Sequence, residues 1–258
     1  MNLRSMKHLL TLIPLLFLFL GCELLLPVPE EGKTYHLAVA LNYEDTNVSN
    51  LHGTLHDARE LEKAFEALFW GKEHSSTIML QDGSDDLSDP LYPTKNHVLE
   101  NIASFCGAME AQDILIISYS GHGWKDGSWV LAPPRNDGEI LDTNDQAFPD
   151  CLLSVEELYE ALLPCKGSVL LLIDSCYAGN FVLEGETSFS LIEESAYLHE
   201  VYNQYFTEGS YTPSVFVLAA TTEDYTAKEP LYLGEPIHGY FTQAILDGLG
   251  WDEENQIL

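Results

Sequence analysis

The sequence predicts an α/β domain built on a mostly parallel sheet flanked by helices, and three observations predict it. Val169 to Ile173 and Asp113 to Tyr119 are apolar runs with little alternation, the pattern of strands buried on both faces rather than strands with one wet side. Between them, Ser154 to Leu163 starts with a capping serine, carries glutamates in its first turn and places Val155, Leu158 and Leu162 on one face. Strand, helix and strand in that order make a right-handed crossover with parallel strands. Finally, 258 residues with 46% hydrophobic content can bury one sizeable core, and one domain fits that length better than two.

The elements follow in chain order. Thr34 to Leu41 reads as the first strand. His56 to Trp70 reads as a helix, because Ala58, Leu61, Phe65 and Leu68 recur at helical spacing. Ser76 to Gln81 is a second strand, Asp82 to Pro93 an acidic loop, and Lys95 to Met109 a second helix. The Asp113 strand comes next, then a long insertion from Trp124 to Asp150 with a hairpin expected around Trp129 to Ala132. After the Val169 strand, 181–214 forms a long connection with a helical patch near 191–202. Val215 to Ala220 is a further buried strand, and Tyr240 to Leu249 the closing helix.

The two central strands each run without a spacer into reactive side chains. Ile173 is followed by Asp174-Ser175-Cys176, and Tyr119 by Ser120-Gly121-His122-Gly123. Strand carboxyl ends are where open α/β sheets bind ligands, because the strand fixes the residue while the loop leaves it accessible. Parallel strands open both loops at one edge, so Cys176 and His122 can meet although they are 54 residues apart. A free cysteine alone reads equally well as a small buried hydrophobe. A thiol and an imidazole in matching positions read as a nucleophile and its base.

These motifs carry a resemblance. S-G-H-G after one strand and D-S-C-Y-A-G after another resemble the His and Cys motifs of the caspase-like cysteine peptidases, closest to the metacaspases and their bacterial relatives. The first strand H-L-A-V-A-L-N-Y, the segment L-H-D-A (Leu55 to Ala58) and G-Y-F-T (Gly239 to Thr242) extend the likeness over most of the chain after residue 34. Ala178 departs from it, standing where metacaspases commonly have Ser. The resemblance implies a caspase-like three-layer sandwich and a cysteine endopeptidase with His122 and Cys176 as its catalytic dyad. Gly123, which has no side chain to block its N–H, and the N–H of Cys176 are then the two oxyanion donors. The metacaspase pattern also places Asp57, Ser120 and Asp174 in the primary substrate pocket. Two carboxylates in a partly buried pocket repel each other unless a cation sits between them, which a substrate Arg or Lys supplies. Each also has a plain structural reading, Asp174 as a strand-end cap and Asp57 as a first-turn carboxylate that suits the helix dipole.

The resemblance requires no cofactor. It raises Ca²⁺ as an option, held by aspartates in the segment after the histidine, here Asp137, Asp142, Asp145 and Asp150. No Lys or Arg occurs between Lys166 and Lys228, so cleavage after a basic residue cannot cut the connection behind the nucleophile, and a single working chain is expected. The alternative reading is a lipid-anchored binding or scaffold protein whose peptidase site is unused, since fold alone does not fix activity.

Acidic residues outnumber basic ones by 41 to 11, a net charge of −30. Nucleic acid would be repelled, while peptides and protein surfaces with basic residues would be attracted; a solubilising surface has the same composition. Residues 1–21 read as a signal peptide, with Arg4 and Lys7 before the apolar run Leu9 to Leu20, which is too short for a comfortable transmembrane span. Phe19 to Cys22 (F-L-G-C) resembles the bacterial lipoprotein box, with Cys22 as the lipid-bearing residue. Residues 22–33 are then a tether, 34–258 the peptidase domain, and the protein is expected to be exported and lipid-anchored to a bacterial membrane. The remaining cysteines, Cys106, Cys151, Cys165 and Cys176, show neither a C-x-x-C pair nor a zinc-ligand spacing. Cys106 reads as core, while Cys151 and Cys165 flank the 154–163 helix and in an exported protein could oxidise to each other.

Overall fold

The computed structural model describes residues 32–82, 86–181, 215–222, 224–230 and 237–258. The segment expected to be a signal peptide, Cys22 and the helical patch expected near 191–202 lie outside these residues. Among the described residues the main sheet has five strands, β1 Thr34–Leu41, β2 His74–Gln81, β3 Ile114–Ser120, β6 Ser168–Asp174 and β7 Val215–Ala219. All are parallel, in the order β2-β1-β3-β6-β7. Among the described residues four α-helices accompany the sheet: α1 Thr54–Leu68, α2 Lys95–Ala108, α3 Val155–Leu162 and α4 Tyr240–Leu249.

Alternate residues of each central strand face opposite layers, as the pleat requires. Leu37, Val39, Leu115, Ile117, Val169 and Leu171 share a core cluster with Val98 and Ile102 of α2 and Leu158 and Leu162 of α3. On the other face Ile116 and Leu172 pack with Leu61, Ala64 and Phe65 of α1 and Leu246 of α4. The arrangement is the three-layer sandwich expected, and it explains why the strands read as continuous apolar runs. Each fully buried Leu or Ile contributes roughly 1.5 to 3 kcal/mol over an exposed one, so the strand register is firmly held. The helix starts are also fixed locally. Thr94 accepts a bond from His97 N ahead of α2, Ser154 and Glu157 form a reciprocal capping box on α3, and the Thr54 hydroxyl ties α1 back to Leu41 O at 2.8 Å.

Two expectations are corrected. The hairpin lies upstream of the expected position: Trp129, in the strand β4 (Trp129–Val130), bridges antiparallel to Gly123 across the turn 124–128, and β4 pairs with β5, Leu152–Leu153, just before α3. Trp129 stacks on Tyr119 with ring centroids 4.3 Å apart, so burial of the indole against β3 decides the path of this segment. The disulfide joins Cys106 to Cys165, while Cys151 is a buried free thiol. Because α2 and α3 pack side by side, Cys106 in the last turn of α2 meets Cys165 just beyond α3. Burial above all pushes the Cys151 thiol up to about 12, which keeps it protonated and inert.

Candidate active site

The chain passes from β1 outward to β2 and returns to β3 on the other side of β1, so the sheet changes direction between β1 and β3. Crevices open at such switch points, at the carboxyl ends of the strands. The register sets what gathers there. Ser120 pairs with Asp174 across β3 and β6, and both continue the face covered by α1 and α4. His122 and Cys176 each lie two residues beyond that pair. A cavity of about 170 Å³ collects them, lined by Asp57, Ser120, His122, Asp174, Cys176 and Glu229 among others. All three residues expected in the substrate pocket and both members of the expected dyad therefore border one space.

The histidine loop is held from beneath by two tyrosines. Tyr43 OH accepts from His122 N at 2.7 Å and donates to Val130 O at 2.7 Å, while Tyr119 OH donates to His122 O at 2.7 Å. Both phenols are fully buried, and the Tyr43 and His122 rings lie 4.5 Å apart. His122 Nε2 is 2.7 Å from Ser49 O. A carbonyl can only accept, so Nε2 carries the proton in the neutral ring and Nδ1 is left with the lone pair. Burial holds the imidazole below its ordinary pKa, opposed by the Ser49 bond and the Glu229 charge. The Ser49 carbonyl thus supplies the orienting group that no sequence motif announced.

Burial raises the Cys176 thiol above its ordinary value, while the backbone amides of Ala227, Cys176 and Gly123 act in the opposite direction by favouring the thiolate. In the free protein the pair therefore rests as a thiol and a neutral imidazole. The bridge between Gly123 and Trp129 takes its bonds from the flanking residues, Trp124 N to Ser128 O and Val130 N to His122 O. Among the described residues neither Gly123 N nor Cys176 N donates to a backbone carbonyl, so both amides stay available beside the sulfur. A Cβ on Gly123 would collide with the Cys176 carbonyl, so glycine is also what lets the two loops touch. Tyr177, next to the thiol, has a φ of 57° and donates its N–H to Tyr225 O at 2.8 Å, holding the bend that follows Cys176.

The carboxylates bind the start of α4. Asp57 accepts from Ser120 Oγ at 2.7 Å, from His238 Nδ1 at 2.8 Å and from Gly239 N at 3.2 Å. Asp174 Oδ2 accepts from Thr242 N at 3.1 Å and Thr242 Oγ1 at 2.9 Å, capping α4 from another element. A side chain at Gly239 would run into that carboxylate. Burial first, and the negative charge of Asp57 second, push Asp174 up to about 7 against the Thr242 bonds, with Glu229 adding to the rise. Both aspartates hold the start of α4, and both also border the cavity. Among the described residues Asp57 has its two oxygens engaged and Asp174 only Oδ2, and Glu229 adds a third carboxylate, fixed by His52 N and Gly53 N at 3.1 and 2.9 Å.

The family model for the caspase domain matches residues 36–258. The chain belongs to the caspase domain family. Among curated proteins, this caspase-family chain is 23% identical over 159 residues to Metacaspase-4 of Arabidopsis thaliana, covering 57% of this chain and 34% of that protein. It is 24% identical over 166 residues to Metacaspase-1A of Neurospora crassa, covering 58% and 32%. The chain thus spans about a third of the length of these relatives. Among solved structures, protein GSU0716 from Geobacter sulfurreducens aligns with a TM-score of 0.48 at 17% identity, over 83% of this chain and 81% of that one. Raptor from Chaetomium thermophilum aligns with a TM-score of 0.40 at 14% identity, over 80% and 16%. The caspase family is one of cysteine peptidases, and metacaspases are the members this chain is similar to.

The family's calcium option does not fit the residues present. Asp142 Oδ1 is taken by Asn144 N and Gln146 N, and Asp137 by Glu139 N and the Arg135 guanidinium. Among the described residues Asp137, Asp142, Asp145 and Asp150 do not converge as a ligand group. Among the described residues no helix is long and apolar enough to cross a membrane.

Proposed function

We propose that this caspase-family chain is a cysteine endopeptidase that cleaves after Arg or Lys, with Cys176 as nucleophile and His122 as base. The observation that carries the reading is the single cavity shared by the thiol, the imidazole and three carboxylates, Asp57, Asp174 and Glu229. A substrate guanidinium or ammonium entering beside Asp174 and Glu229 gives the negative charges a partner, and the oxygen of Asp174 that bonds neither Thr242 group is the one available to it. Lys228 also borders the cavity but is exposed, so its charge remains solvated.

The chemistry follows from the resting pair. His122 takes the thiol proton as the sulfur electron pair adds to the scissile carbonyl carbon, and the carbonyl oxygen becomes an oxyanion facing the Gly123 and Cys176 N–H groups. Collapse breaks the C–N bond, and the proton passes from His122 to the leaving amine. Water then cleaves the thioester with His122 as base again, releasing the carboxylic acid and restoring the thiol. Anchoring through a lipid on Cys22 at a bacterial membrane, and substrates that are peptides or proteins with basic residues, belong to the same proposal; they rest on the Phe19–Cys22 box and on the acidic pocket.

Fluorogenic peptides that differ only in the residue before the scissile bond test the specificity. Arg and Lys peptides are expected to be cut at least about 30-fold faster than the Asp peptide, the lower end of what roughly 2 to 5 kcal/mol of unpaired buried charge implies. Preferred cleavage after Asp would overturn the pocket assignment while leaving the nucleophile untouched.

A further inference from the structure

Behind Asp57 lies a cluster that the peptidase chemistry does not use. His56 of α1, His238 just before α4 and Glu253 of the C-terminal turn are brought together although none of them lines the cavity. The two imidazoles stack with centroids 4.3 Å apart, and both turn Nε2 toward one carboxylate, at 2.8 Å from His56 to Oε1 and 3.3 Å from His238 to Oε2. One nitrogen or oxygen from each of the three residues lies within 4.8 Å of the others. His238 is 5% exposed, and its second nitrogen, Nδ1, is bound by the buried Asp57. That bond orients the ring and leaves Nε2 as its ligating atom, the carboxylate–histidine arrangement by which proteins aim metal-binding imidazoles.

The geometry points to a transition-metal site of the Zn²⁺ class at His56, His238 and Glu253. Two imidazoles and one carboxylate are the donor set zinc takes, whereas calcium and magnesium prefer oxygens alone. Glu253 has 44% of its side chain exposed, so the ion can enter from solvent and keep water as a fourth ligand. An ion there joins α1, the start of α4 and the C-terminal turn. It also places positive charge behind Asp57, one of the pocket carboxylates. Zinc should therefore weaken basic substrates through a raised KM, a consequence that rests on the specificity proposed above, whereas binding itself does not.

The test uses the full-length chain in detergent, with Cys176→Ala in the background so that zinc cannot bind the catalytic thiol. Calorimetric titration with ZnCl2 is expected to give one site per chain, and CoCl2 a tetrahedral d–d absorption without a thiolate charge-transfer band. His56→Ala and Glu253→Gln are each expected to raise Kd by at least about tenfold, the scale at which even supporting residues of metal sites act. Glu253→Gln keeps shape and hydrogen-bonding capacity, so an unchanged melting temperature without metal shows that a lost site is not a lost fold. Zinc binding that is absent, or equally tight in both variants, would overturn the assignment. A zinc-dependent rise in KM for Arg peptides, measured with Cys176 intact and lost in Glu253→Gln, supports the coupling. If Zn²⁺ binds and no Arg peptide is cleaved, the substrate reading falls and the metal site stands.

Discussion

Cys176→Ala and His122→Ala are each expected to lower kcat on Arg peptides by on the order of 10⁴-fold or more, and the double variant to lose little beyond either single one, because members of one catalytic unit fail together. The fold should persist in both. Cys176 stands outside the buried core clusters of the described residues, and the His122 loop is tied through its backbone to Tyr43 and Tyr119. Steady-state kinetics with matched circular dichroism measures this directly. Substantial turnover in Cys176→Ala would remove the thiol from the mechanism.

Asp174→Asn should separate stability from activity. The folded carboxyl titrates at about 7 against an ordinary 3.8, so between those values the folded state binds a proton that the unfolded state lacks. The sign is then fixed: this contribution to stability is complete below the unfolded value and is lost as pH rises through about 7. A rise of that size corresponds to roughly 4 kcal/mol. Asn retains an acceptor for Thr242 and carries no charge, so the variant is expected to be more stable than the natural chain at pH 8 and about equal to it at pH 4 in urea denaturation. Its cleavage of Arg peptides should fall sharply, through KM more than kcat. In the natural chain KM for Arg peptides should fall as pH rises through about 7, and in Asp174→Asn that limb should vanish. A variant that cleaves Arg peptides normally with an unchanged pH profile would take Asp174 out of the pocket.

The sheet was legible because its central strands are covered on both faces and so leave continuous apolar runs; β7 carries the same kind of run but among the described residues is an edge strand with Phe216 and Leu218 exposed, not the buried strand expected. His122 and Cys176 were legible for a related reason: each sits at the same offset past a central strand, and parallel pairing turns equal offsets into proximity. Asp57, Ser120 and Asp174 came from the metacaspase pattern rather than from periodicity. What stayed hidden was set by tertiary contact. Tyr43 and Tyr119 look like strand-end aromatics, and their hold on the His122 backbone spans 79 residues in the first case. His238 bonds Asp57 across 181 residues, and its one sequence cue is that it immediately precedes G-Y-F-T. Ser49 acts through its carbonyl, which every residue has. The partner of Cys165 was not legible, because the sequence shows which cysteines flank a helix but not which helix packs beside it.

Covalent labelling of the full-length chain with an arginine-directed, thiol-reactive inhibitor joins nucleophile and specificity in one measurement. Intact mass and peptide mapping are expected to show a single adduct, on Cys176, that an excess of Arg peptide prevents and Cys176→Ala abolishes, while the Asp-directed analogue leaves the protein unmodified. Labelling that persists in Cys176→Ala, or equal labelling by the Asp-directed analogue, would contradict the account.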